Sequence, residues 1–381
     1  MVVNDTLNIA MLGHKHMLSR EGGIEIVVKE LATRLVARGH RVVVYDRSSS
    51  HVSGGSVDNV DEYQGVKIKR VWTLEKRGLA AMTSSLVAAW RVARSKADVV
   101  HIHAEGPAAM CGLIRLIWKL RKKNGKIIVT IHGLDWQRAK WGGFASKYIK
   151  FGEKQAVKKA DEIIVLSRGV QEYFQKEYGR ETVYIPNGVS RPTLTTAKLI
   201  TEKWGLEKDG YVLFLGRIVP EKGLRYLVEA WMDVRSDKKL VITGGSSDTE
   251  AFMNELKEMT AGDESVIFTG FQQGQVLEEL YSNAYIYCLP SDLEGMPLSL
   301  LEAMGYGNCC LISNIAECTE VVDEMAAVFR KSDAEDLKKV LQGLLDDPAA
   351  VMRYKEGAAE YIIAKYNWDD VVDKTLELYR G

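Results

Sequence analysis

The sequence predicts an α/β protein of two doubly wound parallel-sheet domains, Rossmann-like and facing a cleft. Three observations predict it. Short β-type runs alternate with helix-type runs along the chain, the pattern of parallel strands covered by helices on both faces. The alternation occurs twice, and a turn-rich stretch, Pro186-Asn187-Gly188 through Arg191-Pro192-Thr193, separates the two occurrences. The 381 residues suit two domains, at about 150 residues each. The expected boundaries are residues 1–186 for the first domain, 187–195 for a hinge and 196–365 for the second domain. A last helix, 366–381, is expected to pack back toward the first domain.

In the first half the strand signals are Asn8–Leu12, Val42–Tyr45, Val66–Val71, Asp98–His101, Lys126–Ile131, Glu162–Val165 and Val183–Ile185. Helical patterns lie between them, over Gly23–Arg38, Ala80–Ser95, Pro107–Arg121, Ser146–Lys159 and Gly169–Tyr178. The first carries Ile24, Val27, Val28, Leu31 and Leu35 on one stripe and stops at Gly39. In the second half the strands read Tyr211–Gly216, Lys239–Thr243, Val266–Thr269, Ile286–Leu289 and Cys309–Ile312. Its helices read Leu224–Val234, Thr249–Thr260, Gly274–Asn283 and Pro297–Tyr306, and a helical tail runs from Asp333 to Tyr379. Pro107, Pro297 and Pro348 each fall where a helix would begin, a position that tolerates proline.

Composition narrows the function classes. Apolar residues make up 46% and charged residues 27%, which excludes long disorder and collagen-like repeats. No run of about 18 uncharged apolar residues is present, so no spanning helix is expected. The first twelve residues lack a basic segment followed by a long apolar core, so no signal peptide is expected. Five cysteines, an odd number, do not read as a disulfide framework, and a reducing cytoplasm fits best. Charge is unevenly spread: residues 1–190 hold 31 Lys and Arg against 18 Asp and Glu, and residues 191–381 hold 20 against 33. A basic half facing an anionic membrane or a phosphorylated acceptor explains this, and so does attraction between the halves.

Three loops carry chemistry. Gly22-Gly23 follow the first strand by a ten-residue loop and open a helix, where backbone amides can approach an anion or simply start the helix. The spacing is not that of a dinucleotide fingerprint. Gly216-Arg217-Ile218-Val219-Pro220-Glu221-Lys222-Gly223 follows an apolar strand. Arg217 and Lys222 there form a diphosphate clamp, Arg binding bidentately and Lys as a point charge. Pro290 to Glu302 follows the strand Ile286–Leu289. Glu294 lies in its loop, and Gly295 and Pro297 lead into a helix whose first amides, at Leu298 and Ser299, can hold a phosphate. Glu302 lies one to two turns into that helix, placed to accept hydrogen bonds from a ribose diol.

These loops, with Leu31-Ala32, Asp98 to His101, His132-Gly133, Ile185 to Val189, Gly270-Phe271 and Leu289-Pro290-Ser291, are similar in order and spacing to the retaining glycosyltransferases of family 4, which have the GT-B fold. The resemblance spans nearly the whole chain. It implies transfer of a hexosyl group from a nucleotide sugar to an acceptor hydroxyl with retention of configuration. It further implies that Arg217 and Lys222 hold the donor diphosphate, Glu302 the ribose, Glu294 the transferred sugar near its reacting carbon, His132 the sugar, and that Gly23 approaches the phosphates. The family often has Glu-Gly-Phe-Gly where this chain has Glu294-Gly295-Met296-Pro297, a difference in the sugar pocket. No Asp-x-Asp is placed to hold a metal, so the cationic clamp is expected to replace one. No cofactor is expected, and a UDP-sugar is the favoured donor. The rival readings are a nucleotide-sugar epimerase or phosphorylase, and a non-catalytic nucleotide-sugar scaffold.

His132 ends a strand before Gly133, where a neutral imidazole can donate to a sugar hydroxyl or a backbone group. His101 and His103 alternate on a strand, but no carboxylate and Cys set completes a metal site. Arg138, Lys140, Lys147, Lys150, Lys154, Lys158 and Lys159 follow, with Trp136, Trp141, Phe144 and Tyr148 interleaved. Lys147, Lys150, Lys154 and Lys158 are expected on one helical face. This mixture suits an anionic membrane surface, with Arg138, Lys140, Lys147 and Lys150 facing it or a glycan or lipid-linked acceptor. No nucleic-acid module is recognisable, so nucleic acid is not an expected partner. The expected location is cytoplasmic, peripheral at the inner face of a membrane.

Overall fold

The computed structural model describes residues 6–48, 60–76, 79–137, 143–245 and 249–381. The chain divides into two compact units: Met1–Asn187 with Trp368–Gly381, and Gly188–Asn367.

Among the described residues the first unit holds eight strands: β1 (Asn8–Leu12), β2 (Arg41–Arg47), β3 (Glu62–Tyr63), β4 (Val66–Val71), β5 (Val99–His103), β6 (Lys126–Ile131), β7 (Glu162–Val165) and β8 (Val183–Tyr184). They form one sheet in the order β3-β4-β2-β1-β5-β6-β7-β8, parallel except for the short β3–β4 pair. A parallel strand is buried on both faces, which is why β5 and β6 read as continuous runs rather than alternating ones. The helix Gly23–Ala37 buries Val27, Val28, Leu31 and Leu35 of the expected stripe, with Ala32 beside them, while Ile24 is half-buried. Ile102, Val129, Val165 and Phe174 lie in the core of this unit.

The second unit holds β9 (Tyr211–Leu215), β10 (Lys239–Thr243), β11 (Val266–Gly270), β12 (Ile286–Leu289), β13 (Cys309–Ser313) and β14 (Ala327–Phe329). Their order is β11-β10-β9-β12-β13-β14, and every pair is parallel. Both orders reverse at one point, between β1 and β5 and between β9 and β12, as in doubly wound sheets.

The chain passes between the units twice. Val189 pairs with Asn367 and donates its N–H to the carbonyl of Tyr366 at 2.7 Å, so the two passages run side by side at the edge of the second unit. The terminal helix Trp368–Arg380 belongs to the first unit. Arg38 pairs with Asp369 at 3.1 Å and with Asp373, and the Tyr379 hydroxyl lies 2.6 Å from Nδ1 of His101.

Several elements depart from the sequence reading. The helix expected over Pro107–Arg121 is two, Glu105–Ala108 and Cys111–Leu120, with Pro107 inside the first rather than at its start. Ala104, at φ 79°, turns the chain out of β5 early enough for Glu105 to open that first helix. The helices Leu199–Trp204 and Ala316–Val322, and the three-residue β14, are too short to carry a readable period. Pro348 does stand at the first turn of its helix. No helix among the described residues is long and apolar enough to cross a membrane. All five cysteines are buried thiols.

His101 is fully buried between Tyr379 and the Thr130 hydroxyl, 2.6 Å from each. Burial, then the neighbouring His132, pushes its pKa down from 6.5 to about 3. Between those values the unfolded chain takes a proton that the folded one refuses. The stability due to neutral His101 is therefore full above about pH 6.5 and falls as the pH drops toward 3, by ~1.4 kcal/mol per pH unit. Urea midpoints are expected to be lower at pH 5 than at pH 7, with a smaller difference in His101→Gln. Equal dependence in the two proteins would contradict this account.

Candidate active site

The two charged loops of the second unit start 74 positions apart in sequence and meet at the reversal of strand order. Gly216–Gly223 leaves the carboxyl end of β9 and Pro290–Pro297 that of β12, its sheet neighbour. Backbone contact joins them. The Asp292 N–H donates to the carbonyl of Glu221 at 2.9 Å. Gly223 has a φ of 68°, and a Cβ built there would lie 1.9 Å from the carbonyl oxygen of Pro290. Only glycine allows that approach. Asp292 is held from two sides, by the Tyr226 hydroxyl at 3.2 Å and the Ser332 hydroxyl at 2.7 Å.

This join brings Lys222 to Glu294. Lys222 Nζ donates to Glu294 Oε1 at 2.5 Å, and the Ser291 hydroxyl donates to the same oxygen at 2.6 Å. The side chains are 11% and 8% exposed, so each charge depends on the other for its solvation. Sequence reasoning assigned the two residues to different parts of a ligand; the structure makes them one unit. Removing either partner from such a pair costs about 3–5 kcal/mol, because it strands a buried charge. Ser291, fully buried, is itself fixed: its carbonyl accepts from the Ser313 hydroxyl at 2.5 Å.

Arg217 is half-buried at the end of β9, where the next residue, Ile218, donates its N–H to Gly245 at 3.0 Å. The helix Leu298–Gly305 starts after Pro297, which has no side chain to cap it, so no side-chain cap takes the first-turn amides of Leu298 and Ser299. Gly295 is buried beneath this turn. One turn on, Glu302 Oε2 accepts from the Tyr281 hydroxyl at 3.1 Å. Tyr281 stacks on Tyr306 with ring centroids 5.1 Å apart. Sequence reasoning missed Tyr281, and it named Ser291 without its bond to Glu294; a sequence does not mark which distant group a hydroxyl will meet.

In the first unit, Gly23 opens its helix after an extended Gly22. The loop before it is tied down by charge: His14 Nε2 lies 2.7 Å from Asp46 Oδ1, and buried Glu25 accepts the Lys15 N–H at 2.9 Å. His132 follows β6, with Nε2 3.1 Å from Nδ1 of His103. His103 stacks on His101 at 4.2 Å. Burial and the two flanking imidazoles hold the His103 pKa well below the ordinary value, so it is neutral. Sequence reasoning weighed His101 and His103 as metal ligands; they are instead a buried stack supporting His132.

Lys150 corrects an expectation. It was placed with Lys147 on an outward face, but Nζ lies 2.9 Å from buried Glu153 and 4.1 Å above the centre of the Trp136 ring. Lys150 lies one turn from Glu153, and that carboxylate draws it inward, whereas Lys147, Lys154 and Lys158 are exposed. Arg138 and Lys140 lie outside the described residues. No group of three or more metal-ligating side chains occurs among the described residues.

Two family models cover most of the chain. Glycosyltransferase Family 4 matches residues 21–191, and Glycosyl transferases group 1 matches residues 197–376. The alpha-maltose-1-phosphate synthase of Mycobacterium tuberculosis is 26% identical over 330 residues, 79% of this chain and 83% of its own. Sucrose-phosphate synthase from Thermosynechococcus elongatus superposes with a TM-score of 0.80 at 22% identity, over 98% of both chains. The Anabaena protein HepE, solved with UDP and glucose, gives 0.80 at 14% identity over 98% of this chain and 99% of its own. The chain belongs to the GT4-type glycosyltransferases of GT-B fold, which use nucleotide sugars as donors.

The join at Gly223 carries a prediction. Gly223→Ala forces a left-handed alanine into the Pro290 carbonyl, at a strain of about 1–3 kcal/mol before any displacement of the loops. For a unit of this size that lowers Tm by roughly 3–10 °C. A variant melting within a degree of the wild type would show that the two loops do not depend on this contact.

Proposed function

We propose that this protein transfers a hexosyl group, with retention and without a metal ion, from a UDP-sugar to a hydroxyl of a lipid-linked or glycan acceptor. One observation carries the reading: the break in strand order of the second unit collects Arg217, the Lys222–Glu294 pair, the amides at Leu298 and Ser299, and Glu302. Cations and amides there suit a diphosphate, and a carboxylate one turn into the helix suits a ribose diol. UDP is favoured because HepE was solved with UDP and glucose.

In this reading the bond between the anomeric carbon and the diphosphate oxygen breaks with charge building on the leaving oxygen. Arg217, Lys222 and the helix amides stabilise that charge. The acceptor hydroxyl attacks the same face, and its proton passes to the departing diphosphate. Glu294 Oε1 is already engaged by Lys222 and Ser291, which favours an orienting role over covalent attack. The resemblance gives His132 and Gly23 of the first unit roles toward the sugar and the phosphates.

An anionic membrane surface is the proposed site of action. Phe144 is 76% exposed, Phe151 50% and Leu120 76%. Exposed Lys147, Lys154, Lys158, Arg121 and Lys122 accompany them on the same helices or just after them. Apolar side chains among cations suit an anionic headgroup layer, and a lipid-linked acceptor would lie there.

Two experiments test the reading. In a thermal-shift panel of UDP-, GDP-, ADP- and dTDP-sugars, a UDP-sugar is expected to raise Tm without Mg²⁺, and Glu302→Ala to abolish the shift. Arg217→Ala and Lys222→Ala are each expected to slow transfer by about 10²–10³-fold. A shift that requires Mg²⁺, or near-normal rates in either variant, would refute the clamp. In the second experiment the protein is expected to cosediment with phosphatidylglycerol vesicles at low salt. Binding should fall away at about 0.5 M salt, and at low salt when Lys147, Lys154 and Lys158 are all changed to Glu. No binding at low salt would remove the membrane from the reading.

A further inference from the structure

Two buried carboxyl groups of the first unit take no part in the reading above. Both lie under the segment that carries His132. Glu153, on the helix Gly143–Lys159, has no exposed surface. Its Oε2 accepts the Trp136 indole N–H at 3.2 Å. Its Oε1 accepts from Lys150 at 2.9 Å, from the Tyr173 hydroxyl at 2.9 Å and from the Tyr178 hydroxyl. Glu105, which opens the short helix Glu105–Ala108, is also fully buried, and its Oε2 accepts the backbone N–H of Asp135 at 2.9 Å. A close helix contact sets them side by side. A Cβ built at Gly152 would lie 1.9 Å from the carbonyl oxygen of Glu105, so the long helix rests on the backbone of the short one at the residue next to Glu153.

The two carboxyls do not share the same charge. Burial, with Asp135 and Glu153 nearby, raises the pKa of Glu105, so it stays protonated at neutral pH. Burial works against a charge on Glu153, but the protonated Glu105 carboxyl beside it, then Tyr178, Lys150 and Tyr173, outweigh burial and hold its pKa below the usual carboxylate value. The cluster thus holds one negative charge and one positive one, that of Lys150. Well-packed apolar groups would stabilise the unit at least as well as a buried ion pair, so stability alone does not explain the cluster. Its distinctive product is geometric. Two consecutive residues, Asp135 and Trp136, are gripped from below, three and four positions after His132.

We propose that Glu105 and Glu153 are positioning residues, which clamp Asp135 and Trp136 and so fix the backbone that presents His132 to the donor. The inference rests on the role given to His132 above. A loose segment would let the imidazole drift, and displacements of about an ångström are enough to slow an oriented reaction severely.

A double-mutant cycle tests it. The rate measured is UDP release from UDP-glucose, per folded enzyme. Glu153→Gln turns an amide N–H₂ toward groups that donate and leaves Lys150 without a counter-charge, and it is expected to lower kcat roughly tenfold while KM for UDP-glucose changes less than about twofold. In a His132→Ala background the same substitution is expected to cost less than about twofold, because its effect passes through His132. Glu105→Gln, which keeps an acceptor for Asp135 and the neutral charge of the protonated carboxyl, is expected to retain at least half the rate, and Glu105→Ala to lose most of it. Should Glu153→Gln not fold, Trp136→Phe removes a single hydrogen bond and enters the same cycle. Multiplicative losses in the cycle, or Glu105→Gln as impaired as Glu105→Ala, overturn the inference alone. A His132→Ala protein with the wild-type rate overturns the role of His132 and the inference with it.

Discussion

Lys222 and Glu294 can share a proton-donor contact only because two loops 72 residues apart at that pair end at one break in strand order. That break is a property of the sheet. β9 and β12 are neighbours, yet their connections leave in opposite directions. The gap between the departing loops is closed by backbone, at Gly223 against Pro290 and at Asp292 against Glu221. Once the backbones touch, the side chains at 222 and 294 have little freedom. Glycine at 223 is thus a condition for the ion pair.

The two units use one topology for different electrostatic ends. At its strand-order break the second unit keeps charges that are paired and buried. The first unit lines β5 and the end of β6 with His101, His103 and His132, of which the first two are held neutral by burial. Its buried carboxylates are engaged elsewhere: Asp46 with His14, Glu25 with the Lys15 N–H, and Glu153 with Lys150. Neutral imidazoles can donate to hydroxyls without attracting phosphate, and a cationic clamp does attract it.

Much of the fold was legible because a parallel sheet writes itself in runs. β1, β4, β6, β7, β10 and β12 have the limits read from apolar runs between turn signals. Elements too short for a period, such as β14 and the helix Ala316–Val322, left no trace. The site was legible as loops but not as pairs. Arg217, Lys222, Glu294 and Glu302 stood out because charge beside glycine after an apolar strand is conspicuous. Which charge meets which is decided by the join at Gly223, and a sequence states no distances. Lys150 shows the same limit on a helix. Its spacing groups it with Lys147, but the buried carboxylate of Glu153, one turn away, turns it inward. Glu105 and Glu153 were passed over because single acidic residues in helical patterns read as solvent-facing, and their burial follows from a contact at Gly152 that has no signature of its own.

The pairing of Lys222 bears on how a site in this unit would treat a donor. An ammonium group has three donor directions, and Glu294 takes one of them. On the proposed reading the remaining directions and the Arg217 guanidinium meet the diphosphate. A site with both cations unpaired would bind the product diphosphate as firmly as the transition state and release it slowly. A carboxylate tethered to one cation tempers that hold. On the proposed reading Glu294 also faces the sugar, where positive charge grows as the bond breaks. Stabilisation that grows as the bond breaks raises the rate, whereas stabilisation present throughout only tightens binding. On the proposed reading the buried pair would shift the balance of the clamp from holding the donor toward cleaving it.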